Sequence, residues 1–559
     1  MDAEPGHGGE PTADEHLTAR IRELWQAVLG TPEIGAASNF FELGGHSMLA
    51  TRLMARTRKR LDVELPANLI FQFPVFAEFV AQVAATAPGG ATAAAGPTPT
   101  GRGDGPLSLQ QQQLMLVESA LGPSPANKVA LVLEVATADG GRVDAQALRS
   151  ALRGLLDRHA VLRTAFRPDG TGAAQVVLPA GGEHDPLDEY DLRGRDPDDA
   201  LRRVRRGVRQ AHLRPFDLAG GNLLRAQLFR RDDGPDLLAL HLHHIACDGR
   251  SQQVLVDDLA AGYAAPGGDA PADAVSYLDY ALWQERHAAT TLRRSRAYWR
   301  GVVRELAGDP TRAARADATT VATVRSSATV PPETGAAVRR WSAAEGTTSF
   351  VVLAAATAAA VARLTGRATV GLGTLLENRP LAEVERTVGP FANSTLLAVP
   401  VPAGGPPREL VRVTGERLAA ARRWSDLPLE TLVAEPAADA AVDPAELVDV
   451  VLSVEIAGAA APAGDGLRLR PVVDDGPPLL PVTVGAHPTV YAYLGDDDGM
   501  RLAVEHADDP AGAARARELL DTVAALLPAF VAAPEAALPD GVPAAVVGSG
   551  ATVVEVGPR

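Results

Sequence analysis

Apolar residues fall at helical spacing as soon as the chain contains any number of them. In residues 16–29, Leu17, Ile21, Leu24, Trp25 and Val28 share one face, which predicts an amphipathic helix. A second helix is expected from about Ser47 to Leu61, with Met48, Leu49, Leu53 and Met54 toward a core and Arg56, Arg58, Lys59 and Arg60 in water. Pro74 opens a third, ending near Ala84. Helices joined this closely predict a small all-α bundle over 15–85, behind a disordered N-terminus at 1–14.

Residues 86–106 carry almost nothing large and apolar, and such a Pro/Gly/Ala/Thr stretch cannot offset its ordering entropy by burial. A flexible linker is expected there. Beyond it, runs with strand character at Val129–Val135, Gln175–Leu178, Leu223–Phe229 and Leu237–Ile245 alternate with helical runs at Gln146–His159, Asp199–His212 and Gln252–Tyr263. This is an α/β pattern too long for one core. Two lobes are expected, 107–280 and 281–535, their boundary near 270–290 and a cleft between them. Residues 536–559 resemble the start of another linker, so the chain is expected to be a monomeric fragment of a longer protein.

Composition narrows the function classes. With 53 basic against 69 acidic residues the chain of 559 carries a net charge of −16, and no basic run is interleaved with aromatics. Nucleic acid is therefore not an expected partner. The longest near-apolar run, Phe350–Ala362, is too short to span a bilayer, and the acidic N-terminus is unlike a secretory signal. No membrane association and a cytoplasmic setting are expected. Cys247 is the single cysteine, which excludes an internal disulfide and a cysteine-based zinc site. Lys59 and Lys128 are the only lysines, as expected of a high-GC bacterial source.

Two short stretches carry chemistry. In Phe40-Phe41-Glu42-Leu43-Gly44-Gly45-His46-Ser47-Met48-Leu49 a serine follows a glycine turn and opens a helix. Taken alone, Ser47 reads as an N-cap. The whole stretch, however, resembles the phosphopantetheine attachment motif of peptidyl carrier proteins, the thiolation domains of nonribosomal peptide synthetases, over roughly residues 15–85. The resemblance implies a 4′-phosphopantetheine arm covalently attached to Ser47, its thiol carrying an acyl group as a thioester. His46 stands where many carriers have Asp, and both occur.

The second stretch is His243-His244-Ile245-Ala246-Cys247-Asp248-Gly249. Period-two alternation puts Leu238, Leu240, Leu242 and His244 on one strand face and Ala239, His241, His243 and Ile245 on the other. No carboxylate or thiol lies at a ligand spacing from these histidines, so no metal is expected. With Arg214–Leu218 and Gly221–Arg225 ahead of it, this segment resembles the HHxxxDG core of nonribosomal peptide synthetase condensation domains. Further matches follow in the family's order: Ser108–Leu114, Arg158–Phe166, Tyr277–Trp283, Val370–Arg379, Val388–Leu396 and Asp426–Val433.

The resemblance implies a multidomain chain: a small all-α helical carrier followed by an α/β, two-lobed chloramphenicol-acetyltransferase-like pseudodimer with the active site at the lobe junction. It makes His244 the active-site histidine, with His243 and Asp248 holding the motif's geometry, Asp248 pairing with an arginine, Gly249 permitting the turn, and Asn393 approaching the site. The implied reaction is attack by the amine of an aminoacyl thioester on a downstream carrier upon the donor thioester held at Ser47. A phosphopantetheinyl transferase with coenzyme A and an adenylation domain are the implied partners that activate and load the carrier.

For His244 the roles of general base, positioning group and oxyanion stabiliser stay open. An epimerization domain is the alternative on the same motif, disfavoured by Arg250-Ser251-Gln252-Gln253 and by Phe391-Ala392-Asn393. A non-catalytic docking domain would typically lose the second histidine. Met115, Ala160, Arg250 and Trp424 depart from the usual residues, and Arg250 and Trp424 are expected to bear on the substrate channel or carrier docking. Cys247 is expected to be a buried filler.

Overall fold

The computed structural model describes residues 13–40, 43, 45, 47–61, 65, 69–85, 96–122, 127–168, 173–182, 184–265, 275–310, 323–379, 381–425, 428, 444–456, 466–472, 487–495 and 499–538. Phe41, Glu42, Gly44 and His46 lie outside these residues, as do most of Asp426–Val433 and the tail beyond 538. The side chains of Ser47, Met48, Arg58 and Lys59 are likewise outside the description.

The N-terminal unit is built from α1 (Ala13–Leu29), α2 (Ser47–Leu61), α3 (Leu69–Gln72) and α4 (Phe76–Ala85). Trp25 forms its centre, with the rings of Phe40 and Phe76 edge-on at 5.3 and 5.2 Å. Ile21, Leu53, Met54, Ile70 and Phe79 close this core. The short α3 was not expected, because four residues are too few to show a period.

The rest of the chain forms two lobes. The N-lobe holds β1 (Asp104–Pro106), α5 (Leu109–Leu121), β2 (Lys128–Thr137), α6 (Ala145–Arg158), β3 (Thr164–Pro168), β4 (Ala173–Val177), β5 (Leu187–Asp191), α7 (Pro197–Leu213), β6 (Leu224–Arg230), β7 (Asp236–His243) and α8 (Gly249–Ala264). A long helix, α9 (Tyr277–Ala307), leads into the C-lobe. There β8 (Thr323–Val330), α10 (Pro332–Ala344), α11 (Ser349–Thr365), β9 (Thr369–Leu376), β10 (Asn393–Pro400) and α12 (Pro407–Arg423) precede β11 (Val450–Ile456), β12 (Leu467–Pro471), β13 (Thr489–Leu494), β14 (Met500–Ala507) and α13 (Pro510–Ala532). The near-apolar run Phe350–Ala362 lies in α11, whose residues 351–362 are all buried in the C-lobe core. Among the described residues no single helix is long and apolar enough to cross a membrane.

Three features cut across the expected boundaries. The C-lobe sheet runs β10-β9-β11-β13-β14-β8, but β12 leaves it and pairs antiparallel with β2, so the N-lobe sheet reads β12-β2-β7-β6-β5. Helix α9 starts in the N-lobe core with Tyr277 and Tyr280 and ends in the C-lobe core with Trp299, Val302 and Leu306. The end of the expected linker is structured as well: β1 pairs with β4, and the Thr100 amide and hydroxyl both donate to Asp279 Oδ1. Composition alone hides this, because backbone pairing needs no large side chain and Gly105 lets the strand lie on Leu278, 2.8 Å from where a Cβ would stand.

Candidate functional site

Strand β7 ends at His243, not at Ile245 as the alternation predicts. Residues 244–246 form a 3-10 turn, so His244 stands off the strand rather than on its apolar face. Its Nδ1 lies 3.3 Å from the Cys247 carbonyl, which accepts the ring's N–H and leaves the Nε2 lone pair uncommitted. Burial lowers the His244 pKa, against the opposing pull of the Cys247 carbonyl and Asp248. The half-buried ring is therefore neutral at neutral pH.

His243 is enclosed. Its Nδ1 accepts the Ile245 amide at 3.1 Å, which places the proton on Nε2, 3.7 Å from Glu118 Oε2. Burial, with His244 and Lys128 adding to it, lowers its pKa to about 3. The Cys247 thiol is pushed far up by burial and is not a nucleophile at neutral pH.

Asp248 caps α8 and joins the lobes. Oδ1 accepts from the Ser251 amide (2.8 Å), the Ser251 hydroxyl (2.7 Å) and Arg379 Nη2 (2.9 Å), while Oδ2 accepts from the amides of Phe391 (3.0 Å) and Ala392 (3.2 Å). Arg379 is thus the arginine expected to pair with Asp248. It also donates to the carbonyls of Val384 and Thr387 and lies over the Phe391 ring, 4.0 Å from its centroid. It stands at the end of the motif segment Val370–Arg379, but nothing in a one-dimensional pattern singles it out over 52 other cations.

The C-lobe loop that carries Arg379 packs deep into the N-lobe. Ser251 Oγ accepts the Gly389 amide at 3.0 Å, and the Tyr277 hydroxyl donates to Pro390 O at 2.8 Å. A Cβ on Gly389 would stand 1.9 Å from the Tyr277 ring, so only glycine fits there. Gly249 corrects the expectation made for it: it is the first residue of α8, its φ lies outside the left-handed region, and nothing stands within 4 Å of where its Cβ would be. The turn does not need glycine; the space beside it is open.

Asn393, at the start of β10, is buried and its amide is spent, Oδ1 accepting from Gln110 (2.9 Å) and Nδ2 donating to Ser425 O (2.5 Å). Gln110 in turn accepts from Gln284, whose own carbonyl accepts the Leu109 amide. This amide chain across α5, α9 and β10 was not anticipated, since glutamines in a helical run read as solvent-facing. Met115 packs on the N-lobe core, Ala160 starts a 3-10 turn after α6, and Trp424 packs on the C-lobe core, its carbonyl accepting from Trp299 Nε1. Among the described residues no group of three or more His, Cys, Asp or Glu is placed to hold a metal.

The structure puts Ser47 at the first residue of α2. The turn before it is tight: the Gly45 amide donates to Phe40 O at 2.9 Å, and a Cβ on Gly45 would meet the Phe40 ring at 2.3 Å. No acidic residue occupies the first turn of α2, so the positive end of the helix is left uncompensated beside the serine. Both features fit a phosphate ester. Further along α2, Arg52 forms an ion pair with Glu385 (2.5 Å), and α2 packs on residues 382–384 of the C-lobe, in the loop that also carries Arg379.

A carrier-type bundle ahead of two lobes locked at an HHxxxDG loop defines a carrier–condensation arrangement, and comparison with known proteins agrees. The condensation domain family matches residues 102–461, and the phosphopantetheine attachment site family matches 19–83. The chain belongs to the condensation-domain family and carries a phosphopantetheine-attachment domain in front of it, as nonribosomal peptide synthetases do.

The non-canonical nonribosomal peptide synthetase CymA of Salinispora arenicola is 32% identical over 428 residues, 74% of this chain and 5% of that protein. Phosphinothricin tripeptide synthetase PhsB of Streptomyces viridochromogenes is 33% identical over 463 residues, 80% of this chain and 38% of that protein. The chain spans well under half the length of either relative. Among solved structures, SgcC5 from Streptomyces globisporus superposes with a TM-score of 0.62 at 23% identity, covering 78% of this chain and all of that one. The first condensation domain of the CDA synthetase gives 0.61 at 23%, over 78% and 97%. These likenesses establish the two-lobed α/β fold. The attachment family implies a 4′-phosphopantetheine bound covalently through a serine.

Proposed function

We propose that the arm is attached at Ser47 and that this chain forms an amide bond between the acyl group held there and the amine of an acceptor aminoacyl thioester on a downstream carrier. When attached, the arm supplies a flexible thiol that presents the donor as a thioester. The C–N bond forms as the C–S bond breaks, and the amine's proton passes to the departing thiolate through the site or solvent.

The observation that carries this reading is the division of labour within the loop. Asp248, saturated by five donors, has no lone pair directed at a substrate and acts as the strut between the lobes. His244, neutral and with Nε2 uncommitted, is the group able to accept a hydrogen bond from the attacking amine. An α-amine of pKa about 7.8 is already about 15% neutral at pH 7, so ground-state deprotonation contributes only about 1 kcal/mol. Orienting the amine and taking its proton as the bond forms are worth more.

An adenylation domain that loads the carrier, a phosphopantetheinyl transferase using coenzyme A, and the acceptor carrier are the partners this chemistry requires, in the cytoplasm. With no epimerization step between the two domains, an L-configured or glycyl donor is expected.

The test is intact-protein mass spectrometry of the donor-loaded chain mixed with a loaded acceptor carrier. Transfer to the acceptor, lost or slowed at least a hundredfold in His244→Ala, is the expected result. A donor that stays on the chain and exchanges its α-hydrogen with deuterated solvent would make the second domain an epimerase.

A further inference from the structure

Arg250, the second residue of α8, lies two positions after Asp248, whose partner Arg379 donates to the Val384 carbonyl in the turn on which the carrier's α2 packs. The charged groups whose fields act on it are Arg52 on the carrier helix, Glu385 opposite Arg52, Glu377 just after β9, and Arg379. None of the four pairs with it. Glu385 is paired with Arg52 and Arg379 with Asp248, and among the described residues Glu377 forms no ion pair with Arg250. Among the described residues the half-buried Arg250 guanidinium has no protein hydrogen-bond partner, which leaves its donor fork to solvent or a ligand. Burial, with Arg52 as the next contribution, disfavours its charge, the condition that an arriving anion relieves.

Ser47 precedes Arg52 by five residues on the same helix, about 7.5 Å along the axis at 1.5 Å per residue. The arm's phosphate is its first group after the serine oxygen. A planar guanidinium with its fork free is the side chain best suited to such an anion.

We propose that Arg250 binds the phosphate of the arm on Ser47 and so sets the depth to which the arm enters the lobe junction. This rests on Ser47 being the attachment site. Arg250 is a positioning residue: the phosphate is remote from the reacting carbonyl, and holding it gives the thioester a defined reach toward His244.

The test uses the full chain carrying Ser47→Ala, so that no tethered arm competes, and titrates free 4′-phosphopantetheine and pantetheine by calorimetry. A tethered arm acts at an effective concentration of about a millimolar, so affinities in that range are the relevant ones. Phosphopantetheine is expected to bind at least about tenfold more tightly than pantetheine, as a charge-assisted contact predicts. Adding Arg250→Ala should bring that ratio to within about twofold, and Arg250→Lys should keep part of it, since a point charge remains.

An unchanged ratio in Arg250→Ala, no preference in the parent, or no binding of either compound at millimolar concentration overturns the proposal. Unchanged circular dichroism in both variants separates loss of the contact from loss of the fold. Failure of the condensation reading would appear elsewhere, as a loaded chain that makes no amide while the phosphate preference persists.

Discussion

Asp248 and Ser47 both stand at the start of a helix, and the two helix starts are built on opposite plans. The start of α8 is held by groups far away in sequence: of the five donors on Asp248, Arg379, Phe391 and Ala392 all belong to the other lobe. The start of α2 is shaped by its own neighbours, Phe40 and Gly45, and no acidic side chain in its first turn compensates it. On the proposed reading, a tether needs only a serine at a helix start on a small stable bundle, whereas a loop that holds a histidine against a reacting amine needs its backbone immobilised from both lobes.

The largest effect should come from cutting the inter-lobe strut. Arg379→Met leaves the Asp248 carboxylate buried without its cation and should cost about 3–5 kcal/mol, read as a shift in the urea midpoint, with amide formation lost. Arm attachment to Ser47 should be unaffected, because the carrier core is separate from both lobe cores. A matching loss of attachment would break the contrast drawn above.

Next in size is Gly389→Ala, whose methyl has no room beside Tyr277. Overpacking of this kind costs about 1–3 kcal/mol, and a thermal scan should show the carrier transition unmoved.

A pH dependence follows for the N-lobe alone. Burial lowers the pKa of His212 to about 4 and those of His241 and His243 to about 3. Below the unfolded value of about 6.5 the unfolded chain binds these protons and the folded lobe does not, so stability is complete above that pH and falls with acidification toward the folded values. The slope is at most about 1.4 kcal/mol per pH unit for each histidine. Denaturant titrations between pH 7.5 and 5 should show it, and His241→Gln should flatten it; a slope unchanged by that substitution would remove this histidine from the account.

The smallest effect belongs to Arg52→Ala at the carrier contact. A part-exposed pair of this kind is worth under about 1 kcal/mol, so the variant should slow cis transfer only a few-fold, and added salt should reduce the wild type toward it.

The legible parts of the fold were those with a local period. The expected helix Gln146–His159 appears as Ala145–Arg158, and the expected strand Leu237–Ile245 as Asp236–His243. His244 departs from its strand because Asp248 must turn to cap α8, a demand that alternation does not register. At the site, the residue types of HHxxxDG were readable, while Gly249 was tied to a turn that does not need it. The partner arginine, the Tyr277–Gly389 contact and the amide chain through Gln110, Gln284 and Asn393 were not readable, because each joins residues more than a hundred positions apart.

By itself the sequence determined the helical bundle with a serine after a glycine turn, the α/β character of the remainder, and the motif loop with its paired histidines. These depend on spacing and local backbone preference, which act over a few residues. Only the tertiary structure decided that β12 crosses to the N-lobe sheet, that Arg379 is the cation answering Asp248, and that the carrier's α2 rests on the loop bearing that arginine. Those pairings are chosen by burial: a carboxylate removed from water takes the cation that packing brings to it, and no linear pattern records which one that is.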